Sequence, residues 1–194
     1  GKGFFKHKGN LGDAILLHQD SLQIHQSLNL NREQAFDLFH IGLVYFNMFD
    51  YGKAYEYFSD AEYLKEDIAK NNLLIQGYQA LSLILLGRTA QGKALLADAT
   101  NTVLRDVDIQ QRLQLVNIQS FAVLNDYANV RDQSIAFIQQ KHTNPSLKSR
   151  ALRYLGIASH HLGTSDALEH LQTSLETEQA YAGIDLWLCH ISLG

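Results

Sequence analysis

The segment from Ala35 to Ile68, AFDLFHIGLVYFNMFDYGKAYEYFSDAEYLKEDI, decides how the rest of the chain is read. Apolar or small residues fall at Leu38, Ile41, Gly42 and Tyr45, then at Ala54, Phe58 and Ala61. Each group has the three-and-four spacing of one face of an α-helix. Between them Asp50-Tyr51-Gly52 supplies a turn and the chemistry of a helix start. The segment therefore reads as two antiparallel helices. Gly42 and Ala54 let them approach closely, and Tyr45 and Phe58 fill the space between them.

The same turn-and-small-residue pattern recurs along the chain. Ala14, Ala54, Ala94 and Ser134 each follow a turn, at intervals of 40 residues, and Ala167 follows another turn 33 residues later. Internal periodicity of this kind points to a repeat architecture in which each unit buries its apolar face on its neighbours. Helices are expected over 11–28, 32–48, 52–69, 71–86, 91–104, 108–126, 130–141, 146–162, 165–177 and 179–192. Pro145 suits a first helical turn with Asn144 as its cap. Asp13, Asp50 and Asp132 are expected near helix starts, where carboxylates offset the helix dipole. A single proline in 194 residues leaves little to break these helices.

Ile41, Gly42, Tyr45, Ala54, Phe58 and Ala61 together resemble the tetratricopeptide (TPR) signature, with Leu38 in place of the family's frequent Trp and no terminal Pro. The long period is similar to that of repeats in bacterial signalling and regulatory TPR proteins. The resemblance implies an all-α solenoid: antiparallel helix pairs stacked into a right-handed superhelix, with 1–194 as one domain of four to five repeats. Gly1 to Phe5 reads as the tail of a first-position helix, and Tyr181 to Gly194 as a helix without its partner. Phe4, Phe5, Trp187, Leu188 and Ile191 make both ends look unfinished. A longer parent protein, or a second chain stacked on the ends, is the expectation.

The resemblance also implies a function: holding a protein or peptide on the concave wall formed by the first helix of each pair. It puts Phe36, Phe39, Leu43, Phe46 and Asn47 on that wall in one repeat, and Gln76, Gln79 and Leu83 in the next. Val116, Gln119 and Val123 follow, then Arg150, Arg153, Ile157 and His160. Glutamine amides can donate to and accept from a peptide backbone, and Arg150 or Arg153 can pair with a carboxylate. Phe39 and Leu43 stand where chaperone-binding TPR domains carry Lys and Asn, which argues against a chaperone-tail receptor.

Other functions find less support. A formal charge of −4 and a pI near 6.1 lack the basic field of a nucleic-acid or anionic-membrane binder. No apolar run approaches the length that spans a bilayer. Cys189 is the only cysteine, so no internal disulfide can form and a reducing, cytoplasmic setting is expected. Metal ligation is not expected. His160 and His161 are adjacent and diverge on a helix, His18 and His25 stand two turns apart, and no His-Glu-x-x-His occurs. No glycine-rich phosphate loop is present, since Gly92-Lys93 is followed by Ala94. No cofactor and no enzymatic activity are expected. The alternatives are a self-assembly element acting through the chain ends and, more remotely, a phosphatase-like regulator of a response regulator.

Overall fold

A computed structural model describes residues 11–64, 72–102, 106–141 and 143–181. Among them are nine α-helices and no strand: α1 (Leu11–Ser27), α2 (Asn31–Asn47), α3 (Tyr51–Tyr63), α4 (Asn72–Leu85), α5 (Thr89–Asn101), α6 (Val107–Val123), α7 (Tyr127–Ile138), α8 (Pro145–His161) and α9 (Ala167–Tyr181). The all-α reading holds. Phe4, Phe5, Trp187, Leu188 and Ile191, and most of the expected helix over 179–192, lie outside the described residues.

Local chemistry fixes the helix starts. The Asp50 carboxylate accepts a hydrogen bond from the Lys53 N–H at 3.1 Å, and Asn144 accepts from the Ser146 N–H at 2.9 Å with Pro145 in the first turn. Asp126 does the same for α7, accepting from Asn129 N–H at 3.3 Å. The helix expected over 130–141 therefore begins at Tyr127, and Asp132 lies inside it rather than at its start.

Four helix ends recur at an even step, and a fifth turn of the same kind, at Asn29 (53°) after α1, lies 20 residues before the first of them. α2, α4, α6 and α8 each end in a residue with positive φ: Phe49 (62°), Gly87 (81°), Asn125 (58°) and Gly163 (71°). The next residue's N–H reaches back five residues to a carbonyl: Asp50 to Tyr45 (3.0 Å), Arg88 to Leu83 (2.9 Å), Asp126 to Phe121 (2.9 Å) and Thr164 to Ser159 (3.0 Å). This is the Schellman arrangement, which satisfies carbonyls that have no partner within the helix. These four turns recur at intervals of 38 residues, so the 40-residue spacing of the small residues is not the structural repeat. The identical tripeptides Gly52-Lys53-Ala54 and Gly92-Lys93-Ala94 sit 40 apart but occupy different positions. Ala94 is exposed, and Gly92 is the buried equivalent of Ala54. Ser134 matches Phe58, and Val130 matches Ala54.

The chain divides into two compact units, Gly1–Ile109 and Gln110–Gly194. In the first, α1 packs on α2, α2 on α3, α3 on α4 and α4 on α5. Phe58 is fully buried at its centre, with its ring where a Cβ on Gly42 would stand, at 2.6 Å. Burying such a ring contributes about 1.5–3 kcal/mol. Gly92 plays the corresponding part between α4 and α5, since a Cβ there would lie 2.6 Å from the Ala80 carbonyl oxygen.

In the second unit, Leu115 and Ile118 of α6, Val130 and Phe137 of α7, and Leu147, Ala151 and Ala158 of α8 form one cluster. α9 closes on α8 in two ways. A Cβ on Gly156 would meet the Leu171 side chain at 2.6 Å, and Ser149 and Ser174 exchange hydrogen bonds. Each hydroxyl donates to the other residue's carbonyl, at 2.9 and 2.8 Å, so polar residues at a fully buried helix crossing remain satisfied.

Candidate partner-binding face and a buried histidine–aspartate cluster

The outer side of α2 carries an open aromatic surface. Phe36 is half exposed to solvent and lies 4.1 Å, ring to ring, from His40. Phe39 and Leu43 are partly buried, one and two turns further on. Phe39 touches His40 edge-on, Phe58 of α3 and Tyr78 of α4, with centroids 5.4, 5.7 and 5.9 Å away. Phe46 is buried against Tyr51 and Tyr78. Its neighbour Asn47 is exposed, and its amide donates to the Leu43 carbonyl at 2.9 Å. Phe36, Phe39 and Leu43 therefore keep accessible apolar surface beside packed aromatic rings, and Phe46 is one of those rings.

The glutamines on α4 do something else. Gln76 donates to the Glu62 carboxylate at 2.9 Å, and Gln79, buried, donates to the Ser59 hydroxyl at 3.1 Å. Both bonds tie α4 back to α3. Leu83 is also buried. The 38-residue step explains this placement. Gln76, Gln79 and Leu83 are the equivalents of Leu38, Ile41 and Tyr45, of which Leu38 and Ile41 are buried and Tyr45 stacks on Tyr57, and the equivalents of Phe36, Phe39 and Leu43 are Leu74, Gly77 and Leu81. All three of these are buried, so the aromatic surface of α2 has no counterpart on α4.

In the second unit Val116 is buried, while Gln119 and Val123 are half-buried on α6. A different set of glutamines bridges there. Gln111 donates to Gln140 at 3.4 Å, and Gln140 donates to Gln114 at 2.9 Å. On α8, Arg150 is half-buried, Arg153 is buried with its guanidinium 5.5 Å from the Tyr154 ring, Ile157 is half-buried and His160 is exposed. His161 stacks on Tyr127 of α7 at 3.9 Å with the rings 8° apart.

A histidine–aspartate cluster lies between α1 and α2. His18 Nδ1 lies 3.2 Å from Asp37 Oδ1, and His25 Nδ1 lies 2.7 Å from Asp37 Oδ2. His18 and Asp37 are buried. His40 stacks on His18 at 5.1 Å, and its Nδ1–H donates to the Phe36 carbonyl at 2.8 Å. Burial in this apolar setting lowers the His40 pKa, as does the nearby His18, against the opposing pull of the Phe36 carbonyl and Asp37. The seven-residue spacing of His18 and His25 is the signal that pointed here. It marks two residues on one helix face, and a single carboxylate on the facing helix spans them.

The cluster invites a catalytic reading because Ser21 Oγ lies 3.5 Å from His25. That contact is to Nδ1, the nitrogen already turned to Asp37. A serine–histidine–aspartate relay needs the two partners on different ring nitrogens, so this geometry holds an imidazole in place without activating the hydroxyl. Among the described residues, no group of three His, Cys, Asp or Glu side chains is arranged to hold a metal ion, and no helix is long and apolar enough to cross a membrane.

No protein-family model matches the chain, and no curated protein matches it in sequence.

Proposed function

We propose that this chain is a TPR-like repeat module, its hairpins stacked in a right-handed superhelix, which binds a polypeptide through the outer face of α2. Phe36, Phe39 and Leu43 are the contact residues. The observation that carries the reading is their partial exposure on one side of a helix whose other side is fixed in the core. Such a surface buries apolar side chains of a partner with little ordering cost, because Phe39 already rests on Phe58 and Tyr78. Recurrence of one turn geometry at Phe49, Gly87, Asn125 and Gly163 supports the repeat assignment. Binding rather than catalysis fits the histidine–aspartate cluster, whose contacts fix ring orientation only.

The test is a labelled chain on an array of random 12-residue peptides, compared with Phe36→Ser and Leu43→Ser variants. Retention of a defined peptide set by the wild type, reduced about tenfold by either substitution, is the expected result, since each removes one large apolar contact. Phe49→Ser, exposed on the turn after α2, serves as the control and leaves binding unchanged. Equal retention by all four proteins, or no retention by any, refutes the proposal.

A further inference from the structure

The outer face of α2 carries a charge beside its apolar residues. Arg32 is exposed one helical turn before Phe36, and Phe39, Leu43 and Asn47 continue the same side at three-and-four spacing. Among the described residues Arg32 makes no ion pair, side-chain hydrogen bond or ring contact. The other polar groups along this side are engaged with their own helix. Asn47 donates its amide to the Leu43 carbonyl, and His40 donates its Nδ1–H to the Phe36 carbonyl.

α2 keeps its carboxylates away from this side. Asp37 is buried and turned to His18 and His25 of α1. Glu33 directly follows Arg32, which puts it about 100° round the helix, and it is half-buried. Acidic residues outnumber Lys and Arg in the chain by 20 to 16. A stripe that joins an arginine to apolar side chains and holds no carboxylate therefore differs from the average of the surface. Its charge calls for an anionic group, and its aromatic part calls for burial.

We infer that the segment held on this face is acidic and apolar together: a stretch of a partner polypeptide with Asp or Glu close to large apolar side chains. The inference rests on the α2 reading above and adds the partner's charge. Arg32 stands about 6 Å from Phe36 along the helix axis, and Leu43 about 10 Å beyond Phe36. An extended chain advances about 3.3 Å per residue. The partner's carboxylate then sits about two residues from its first apolar side chain, and a second apolar one follows about three residues later. The guanidinium offers parallel N–H donors to that carboxylate, while the apolar residues cover Phe36, Phe39 and Leu43. A charge bordering an apolar patch adds selectivity for acidic over basic segments more than it adds affinity.

The test reads the array of random 12-residue peptides by charge. Peptides retained by the wild type are expected to carry Asp or Glu near large apolar residues about threefold more often than the array as a whole. Arg32→Ala lowers their retention about threefold, the size of an exposed ion pair. Arg32→Glu moves retention to peptides with Lys or Arg in that place. Arg131→Glu makes the same change of charge at an exposed residue of α7 and leaves retention unaltered. Retained peptides without an acidic preference, or with retention unchanged by Arg32→Glu, overturn this inference and leave α2 a purely apolar site. Equal loss in Arg131→Glu overturns it as well, because net charge alone would then be at work. No retention by the wild type overturns both readings. A dimer in sedimentation that Phe36→Ser dissolves also overturns the inference, since the occupant would then be a second copy of this chain.

Discussion

His25 Nδ1 stands 2.7 Å from Asp37 Oδ2 while His18 Nδ1 stands 3.2 Å from Asp37 Oδ1, so one carboxylate of α2 grips α1 at two points separated by two turns. The grip adds to an apolar contact that is mostly half-buried, through Leu11, Ile15 and Leu22. Ala14 is its only buried apolar residue. Removing Asp37 strands His18 in a buried site and frees the C-terminal half of α1. Asp37→Ala is expected to cost about 2–4 kcal/mol, the range for breaking a buried charged hydrogen bond. Urea unfolding measures the loss, and hydrogen exchange locates it, with α1 amides losing protection first. Asp37→Asn, which keeps one acceptor, should lie between. Unchanged exchange in α1 would show that the apolar contacts alone hold it.

His40 sets a pH dependence. Burial holds its pKa below the ordinary value near 6.5, so the fold prefers the neutral ring. Between the folded and ordinary values the unfolded chain binds more protons at this residue, and stability rises with pH there. The contribution is whole above about pH 6.5 and is lost as pH falls toward the folded value. His40→Gln is expected to flatten the change in melting temperature between about pH 7 and 5.5. An NMR titration of His40 should give a midpoint below the ordinary value, and a midpoint above it would reverse the sign of the effect.

Much of the fold is legible in the chain because helix pairing is written in side-chain size. Gly42, Ala54 and Phe58 announce a close crossing, and the structure puts the Phe58 ring in the space a Cβ on Gly42 would take. The period was harder to see because two signals compete. The matching Gly-Lys-Ala tripeptides at 52–54 and 92–94 suggest a step of 40, whereas the backbone repeats wherever a left-handed residue ends the first helix of a pair. Glycine and asparagine mark three of those sites, but the fourth is Phe49, a residue that gives no hint of positive φ. A step of 40 sets Gln76, Gln79 and Leu83 on the binding wall, whereas Gln76 and Gln79 are hydrogen-bonded to α3 and Leu83 is buried. Asp37 joined to His18 and His25 was out of reach for another reason. The three residues meet only when α1 lies on α2, and no spacing within one helix reports which carboxylate will face it.

The glycines at helix crossings give a graded prediction. A Cβ on Gly42 meets the Phe58 ring and one on Gly156 meets the Leu171 side chain at 2.6 Å and the Ala167 carbonyl oxygen at 3.1 Å, but one on Gly92 meets a backbone oxygen, that of Ala80, at 2.6 Å, with the Ile84 side chain equally close. Side chains can shift within a core, whereas a helix backbone moves only as a whole. Gly42→Ala and Gly156→Ala should each cost about 1–3 kcal/mol, with Gly92→Ala at or beyond the upper end. Phe58→Leu should recover part of the Gly42→Ala loss. Chemical denaturation of the three variants checks the order, and a mild Gly92→Ala would mean that α4 and α5 separate more easily than their packing suggests.

Phe49 offers the opposite outcome, a substitution that stabilises. It holds φ at 62°, and its counterparts in the other three turns are Gly87, Asn125 and Gly163, residues suited to that region. Its side chain is 66% exposed and its ring makes one edge contact with Tyr51, centroids 6.4 Å apart, so little packing is lost when it is removed. The left-handed conformation costs an ordinary residue about 1–2 kcal/mol, while glycine gives back part of that gain through the greater freedom of its unfolded chain. Phe49→Gly is therefore expected to raise stability by about 0.5–1 kcal/mol. Phe49→Asn should give a smaller gain, and Phe49→Val, branched at Cβ, a loss. Thermal melts of the three variants test the order. A destabilised Phe49→Gly would show that the Phe49–Tyr51 contact, rather than the backbone, governs this turn.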